Sequence, residues 1–167
     1  VPLADLTKML EKRPPQRVSG TAVFMTADPE TAPAALMHNL KHNHVLHKTN
    51  ILMTVKTSSA PYVAEKDQIE VDTLSDDFRR IIATLGYMQT PRIPQLLAAA
   101  RRQGCEFELM QTSFFLSRRT LLADGKRGMP LWQDHLFIFL SRNATNATEF
   151  FRIPTSRVVE LGTQVTI

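Results

Sequence analysis

Thr112-Ser-Phe-Phe-Leu-Ser-Arg-Arg-Thr120 carries the strongest structural signal in this sequence. In an extended strand, successive side chains point to opposite faces of the sheet. One face would carry Ser113, Phe115 and Ser117, and the other Phe114, Leu116 and Arg118. Because both faces bear bulky apolar groups, we expect this strand inside a sheet that helices cover on both sides. Phe114 and Leu116 should therefore be buried, together with Trp132 from a helix predicted over residues 131–140.

The amino-terminal half predicts a βαβ unit. A β run from Thr21 to Thr26 precedes the Asp28-Pro29 turn, and Pro33 suits the first turn of a helix. This helix should continue to about Asn43, with its polar side carrying Asn39, Lys41 and histidines and its buried stripe carrying Ala32, Leu36, Met37 and Leu40. A second β run, Asn50 to Thr57, follows the helix, so the two strands should be parallel.

The middle of the chain predicts a hairpin, and further α/β elements follow it. Two strand candidates, 68–74 and 78–85, flank Ser75-Asp76-Asp77, which favours a hairpin. A helix over 93–103 should end at Gly104, and residues 106–111 fit strand or loop equally. The last strand, Arg157 to Ile167, fits the edge of the sheet and its interior equally well.

These elements define the predicted fold and domain organisation. Residues 1–19 should form a helical lead-in that Pro14-Pro15 ends, and residues 20–167 a single domain. The fold class is α/β, with a mixed, partly parallel sheet of about six strands and three to four packed helices. The single cysteine, Cys105, excludes an internal disulfide and is expected to be a small packed residue.

Four stretches, in this order along the chain, resemble the bacterial Kup (KUP/HAK/KT) family of potassium transporters. They are Gly20-Thr-Ala-Val-Phe-Met25, His38-Asn-Leu-Lys-His-Asn43, the Ser-Phe-Phe run, and Ile153-Pro-Thr-Ser-Arg-Val-Val-Glu-Leu-Gly-Thr-Gln-Val165. The resemblance implies the cytosolic carboxy-terminal domain of a proton-coupled potassium uptake transporter, at the cytoplasmic face of the bacterial inner membrane. It implies a regulatory or assembly role without catalysis or a cofactor. It also implies that the membrane domain belongs to the same polypeptide.

Composition agrees with a part of a longer protein. The sequence contains no run of about 18 apolar residues, which a membrane-spanning helix requires. Val1 is not an initiator residue, so we expect the translocating part to lie elsewhere in the polypeptide. No Gly-x-Ser-x-Gly, Walker or dinucleotide-binding motif occurs, and an enzyme is not expected.

Charge suggests a surface partner. The net charge is +4 and the pI about 9.5. Basic pairs such as Arg79-Arg80 and Arg101-Arg102 fall in different elements and form no continuous stripe, so nucleic acid is not expected. Anionic lipid headgroups suit the basic side better. A homodimer is a further expectation, because a last strand at the sheet edge would leave amides free to pair with a second copy.

Two sites can be suggested from residue types. Carboxyl ends of parallel strands favour ligands, which singles out Asp28 after the first strand and Thr57, Ser58 and Ser59 after the second. An aspartate and small hydroxyls suit a ribose or phosphate, so sensing of a cyclic dinucleotide or adenine nucleotide is the alternative function. The same residue types are also ordinary in turns.

The histidine-rich segment offers a metal site as a second alternative. His38 and His42 are four residues apart and share a helical face, with His44 and His47 nearby. The sequence lacks the glutamate of the His-Glu-x-x-His hydrolase motif. A tetrahedral site needs three or four protein ligands, so surface histidines on the polar side of the helix are the simpler interpretation.

Overall fold

The structure is a computed structural model that describes residues 2–122 and 150–166. The helices are α1 (Leu3–Lys12), α2 (Ala34–Asn43) and α3 (Ile93–Arg102). The strands are β1 (Gln16–Met25), β2 (Val45–Ser58), β3 (Ile69–Thr73), β4 (Phe78–Gly86), β5 (Thr112–Leu122) and β6 (Val158–Thr166). The predictions for Trp132, for the helix over 131–140 and for the Arg118 side chain lie outside what is described.

The described strands form one six-stranded sheet in the order β3-β4-β2-β1-β5-β6. Every neighbouring pair is parallel except β3 and β4, which form the antiparallel hairpin predicted around Ser75-Asp76-Asp77. The βαβ unit and the mixed sheet are therefore confirmed. Of the two positions open for the last strand, β6 takes the edge in the sheet that the described strands form, where it pairs with β5.

Helices cover both faces of this sheet. On one face, α3 packs through Ile93 and Leu97 into a cluster that includes Phe114 and Leu116. On the other face, α1 and α2 pack into a cluster that includes Phe115, whose ring stacks on Phe24 at a centroid distance of 4.7 Å. The predicted burial of Phe114 and Leu116 is confirmed, and Phe115 on the opposite face of β5 is buried as well.

Two strands begin earlier than the sequence indicated. β1 begins at Gln16 rather than Thr21, and its pairing with β2 shifts register between Val18 and Thr21. Gly20 lies in this irregularity with φ of +96°, a conformation that glycine adopts readily. Gly20 breaks the run of strand-forming residues in the sequence, but in the structure β1 continues through it. β2 likewise begins at Val45 rather than Asn50, because Val45, Leu46 and His47 pair with the start of β1.

Asn39 corrects one prediction for α2. This residue was expected on the polar side, yet only 4% of it is exposed. Its Nδ2 donates a hydrogen bond to the Val45 carbonyl, at 3.1 Å, and its Oδ1 accepts one from Asn43, at 2.7 Å. The amide is buried because it satisfies a backbone carbonyl just after the helix ends. Lys41 and His42 are exposed, as expected.

The predicted amino-terminal helix is present and lies against the core. Leu3 and Leu6 of α1 are buried in the same cluster as Phe24, and the Leu3 amide donates to the Glu30 carbonyl at 3.2 Å. Cys105 is also buried as predicted, and burial raises the pKa of its thiol. In the described part of the chain, no helix combines the length and apolarity needed to cross a bilayer.

Candidate functional site

The connections between strands define where a ligand would be expected. β1 leads through α2 to β2 on one side, and β4 leads through α3 to β5 on the other side of β1. Since α2 and α3 pack into different core clusters, the two crossovers cover opposite faces. Sheets wound in both directions bind ligands at the carboxyl ends of the strands where the direction changes. Here that position lies between β1 and β5.

β1 is shorter than both of its neighbours at this end. Its last residue, Met25, pairs with Met53, and β2 continues to Ser58. Phe24 pairs with Phe115, and β5 continues to Leu122. The loop after Met25 therefore lies at the base of a crevice between two longer strands.

Asp28 occupies this loop and is fully engaged in its turn. Its Oδ1 accepts a hydrogen bond from the Glu30 amide at 3.0 Å, and its Oδ2 accepts one from the Thr31 hydroxyl at 2.9 Å. These two bonds lower the pKa of Asp28, with a smaller contribution from the positive charge of Lys56. The carboxylate thus shapes the loop through these two hydrogen bonds.

Thr57, Ser58 and Ser59 lie at the end of β2, away from the base of the crevice. Thr57 pairs with Leu85 and Ser58 with Gly86 of β4, and the Ser58 hydroxyl accepts a hydrogen bond from the Ala60 amide at 3.2 Å. Thr57 is four positions beyond the β1 partner Met53, which corresponds to roughly 13 Å along the strand. The structure places all four predicted residues at the carboxyl ends of β1 and β2, but no hydrogen bond connects Asp28 with the other three.

An aromatic crevice of about 320 Å³ lies beside Thr57, at the ends of β2 and β4. Its walls include Tyr87, Met88, Phe150 and Phe151, and the lining side chains that the structure describes carry no charge. The Gln89 side chain holds the adjoining loops together, because its Oε1 accepts from the amides of Val63 and Gly86 at 3.0 and 2.7 Å. Such walls can contact a planar ring, but they offer no charge for a phosphate. Sequence reasoning missed this crevice because its residues are distant along the chain.

The histidines are dispersed around α2 and β2. The rings of His38 and His42 stack at a centroid distance of 5.7 Å, and within the described residues no group of three or more metal-ligating side chains occurs. His44 follows α2 in a left-handed conformation, with φ of 55°. His47 lies on β2 with its ring edge against Phe115, at 5.9 Å, and burial lowers its pKa.

A larger groove, of about 870 Å³, separates α1 from α2. Leu6, Leu10, Met37 and Leu40 give it an apolar floor, and the basic side chains at its rim include Lys12, Arg13 and Lys41. This groove could not be predicted from the sequence, because each helix alone has only an ordinary apolar stripe. It forms because the fold places the two stripes side by side on one face of the sheet.

Known proteins match the chain over nearly its whole length. The family described as "K+ potassium transporter C-terminal domain" matches residues 19–167. The "Probable potassium transport system protein Kup" of Caulobacter vibrioides (strain NA1000 / CB15N) is 52% identical over the whole chain, which covers 25% of that protein. Two further similar proteins come from other bacteria. "Kup 1" of Bradyrhizobium diazoefficiens is 55% identical over the whole chain, which covers 25% of it, and "Kup 2" of Rhodopseudomonas palustris (strain BisB18) is 53% identical over the whole chain, which covers 26%.

The chain therefore spans about a quarter of the length of these relatives. No solved structure matches it.

Proposed function

Because the chain belongs to the potassium transporter C-terminal domain family, we propose that it is the cytosolic regulatory or assembly domain of a Kup-type potassium uptake transporter. The match over residues 19–167 is the observation that carries this proposal. The relatives named as potassium transport proteins are about four times longer than the chain, which leaves ample length for a membrane part. In this proposal potassium crosses the membrane, coupled to protons, through that other part.

The domain itself is proposed to be non-catalytic. The polar residues at the carboxyl end of the sheet act in turns: Asp28 binds the Glu30 amide, and Ser58 binds the Ala60 amide. A general acid or base needs a free group within reach of a substrate proton. The domain would instead act through contacts, with the membrane part of the same polypeptide, with a second copy through β6, or with anionic lipid.

Side-chain accessibility in the full-length protein tests the proposed location. We expect the Met88→Cys variant, whose site is 61% exposed, to react with a membrane-impermeant maleimide only after cells are permeabilised. Cys105, which is 1% exposed, is an internal control that should react only after unfolding. Labelling of Met88→Cys in intact cells would refute a cytosolic location.

Nucleotide sensing is a second candidate. It is favoured by the winding of the sheet in two directions and by the aromatic crevice of Tyr87, Phe150 and Phe151 beside Thr57. A thermal-shift screen of adenine nucleotides and cyclic dinucleotides tests it. If one nucleotide raises the melting temperature of the chain and Tyr87→Ala abolishes that shift, the domain senses a ligand. If no nucleotide at millimolar concentration changes it, this candidate fails.

A further inference from the structure

The groove between α1 and α2 combines an apolar interior with a basic rim. Its interior is apolar, and Met9 stands at its mouth with 57% of its surface exposed, whereas Leu6 below it is 2% exposed. Contiguous apolar surface of this kind marks a place where a partner docks. The groove lies wholly within residues 6–44.

The rim of the groove is basic. The side chains of Lys12, Arg13, Lys41, His38 and His44 line it, and none of the lining side chains that the structure describes is acidic. Among the described residues, Arg17, Arg80 and Arg102 have carboxylate partners within 4.0 Å, but the lysines and the arginine of this rim have none. Cations in the last turn of a helix interact favourably with its dipole, which accounts for Lys12 and Lys41. The dipole does not account for the apolar groove between them.

An apolar trough edged by cations on long, flexible stems is complementary to an anionic amphiphile. Lysine and arginine keep their charges in water while their aliphatic stems cover apolar surface. Each such residue adds favourable binding free energy when it approaches anionic headgroups. We propose that the α1–α2 groove docks this domain on the anionic phospholipid surface of the membrane. Headgroup phosphates would contact Lys12, Arg13 and Lys41. The exposed Met9 side chain would insert into the apolar part of the bilayer beneath the headgroups.

This inference rests on the proposed function, because it requires the rest of the transporter to lie in that membrane. α1 precedes residue 19, where the family match begins, and would then stand between the membrane part and the body of the domain. Tethering makes a weak surface contact sufficient, since a linked site acts at high effective concentration. An acidic amphipathic helix would offer the groove similar chemistry. The position of α1 next to the membrane part favours the bilayer as the binding partner.

Vesicle co-sedimentation of the 167-residue chain tests the proposal. We expect binding to vesicles of equal parts phosphatidylglycerol and phosphatidylcholine, little binding to pure phosphatidylcholine, and weakening with added salt. Neutralising the rim with Lys12→Gln, Arg13→Gln and Lys41→Gln together should weaken binding about a hundredfold. The matched control, Lys48→Gln, Lys66→Gln and Arg92→Gln, removes the same charge from exposed positions outside the groove and should cost less than about fivefold.

A second variant separates apolar docking from charge alone. Met9→Gln keeps the charge and approximate size of the side chain and should weaken vesicle binding about tenfold. Thermal melts of all variants would show that each remains folded.

Three results would overturn the proposal: no binding to phosphatidylglycerol vesicles, equal losses in the two triple variants, or capture of an acidic amphipathic peptide without vesicle binding. None of these results would alter the maleimide labelling of Met88→Cys, so a failure here is distinguishable from a failure of the proposed function.

Discussion

At the scale of single residues, Gly20 determines how β1 meets its neighbours. It has φ of +96°, and a Cβ at this position would lie 2.8 Å from the Gln111 carbonyl oxygen, just before β5. Only glycine satisfies both conditions, the backbone conformation and the close approach. The residue therefore allows β1 to continue through its irregularity while β5 begins beside it.

This role predicts the effect of adding a methyl group. Gly20→Ala should lower the free energy of unfolding by about 2–4 kcal/mol, because backbone strain and a clash with a carbonyl combine. Gly104→Ala is the matched control, since Gly104 has φ of +93° but no atom within 4 Å of the added Cβ. Its cost should stay at about 1–2 kcal/mol. Urea denaturation compares the two, and equal losses would show that the Gln111 contact is unimportant.

His47 predicts a pH dependence of stability. Burial lowers the pKa of His47, so the folded state binds fewer protons than the unfolded state near the ordinary value of about 6.5. The stability that neutral His47 contributes is present above that value and is lost as the pH falls through the lower, folded-state pKa. His47→Gln should flatten the decline in stability between about pH 7.5 and about pH 5.5. His42→Gln, which replaces an exposed ring, should leave the decline in stability unchanged. Identical pH profiles for the unsubstituted protein and the two variants would contradict the prediction.

At the scale of elements, β5 is where the two core layers meet. Phe114 contributes to the α3 side and Phe115 to the α1–α2 side, with 1% and 7% of their surfaces exposed. The alternation of residues 112–117 predicted this arrangement, because a strand that is apolar on both faces is stable only between two covering layers. Local signals at Pro33, Gly104 and Ser75-Asp76-Asp77 likewise predicted where helices and turns begin and end.

Truncation at β5 tests that arrangement. Phe114→Ala should lower the free energy of unfolding by about 3–5 kcal/mol, through lost burial and the cavity left behind. Phe150→Ala removes the same atoms from a side chain that is 52% exposed, and it should cost less than about 1 kcal/mol. Chemical denaturation measures both, and a small loss for Phe114→Ala would mean that this strand is not part of the core.

At the scale of the whole molecule, less could be predicted from the sequence. The order of the six strands depends on pairings between distant segments, such as β1 with β5, which no local pattern specifies. For the same reason Asp28 was identified at the carboxyl end of β1, whereas the aromatic crevice at the ends of β2 and β4 and the α1–α2 groove were not. Asn39 was misplaced because its burial depends on the Val45 carbonyl, which becomes its partner only after the chain folds.

The central proposal is that this domain serves potassium uptake as part of a longer, Kup-type transporter polypeptide. The most direct test is the initial rate of rubidium uptake by the full-length protein in bacteria that lack their own potassium uptake systems, with the transporter in the membrane quantified in parallel. We predict that deletion of residues 20–167 lowers either the amount of inserted transporter, as expected for assembly, or the rate per inserted transporter, as expected for regulation. An unchanged amount together with an unchanged rate would contradict the account.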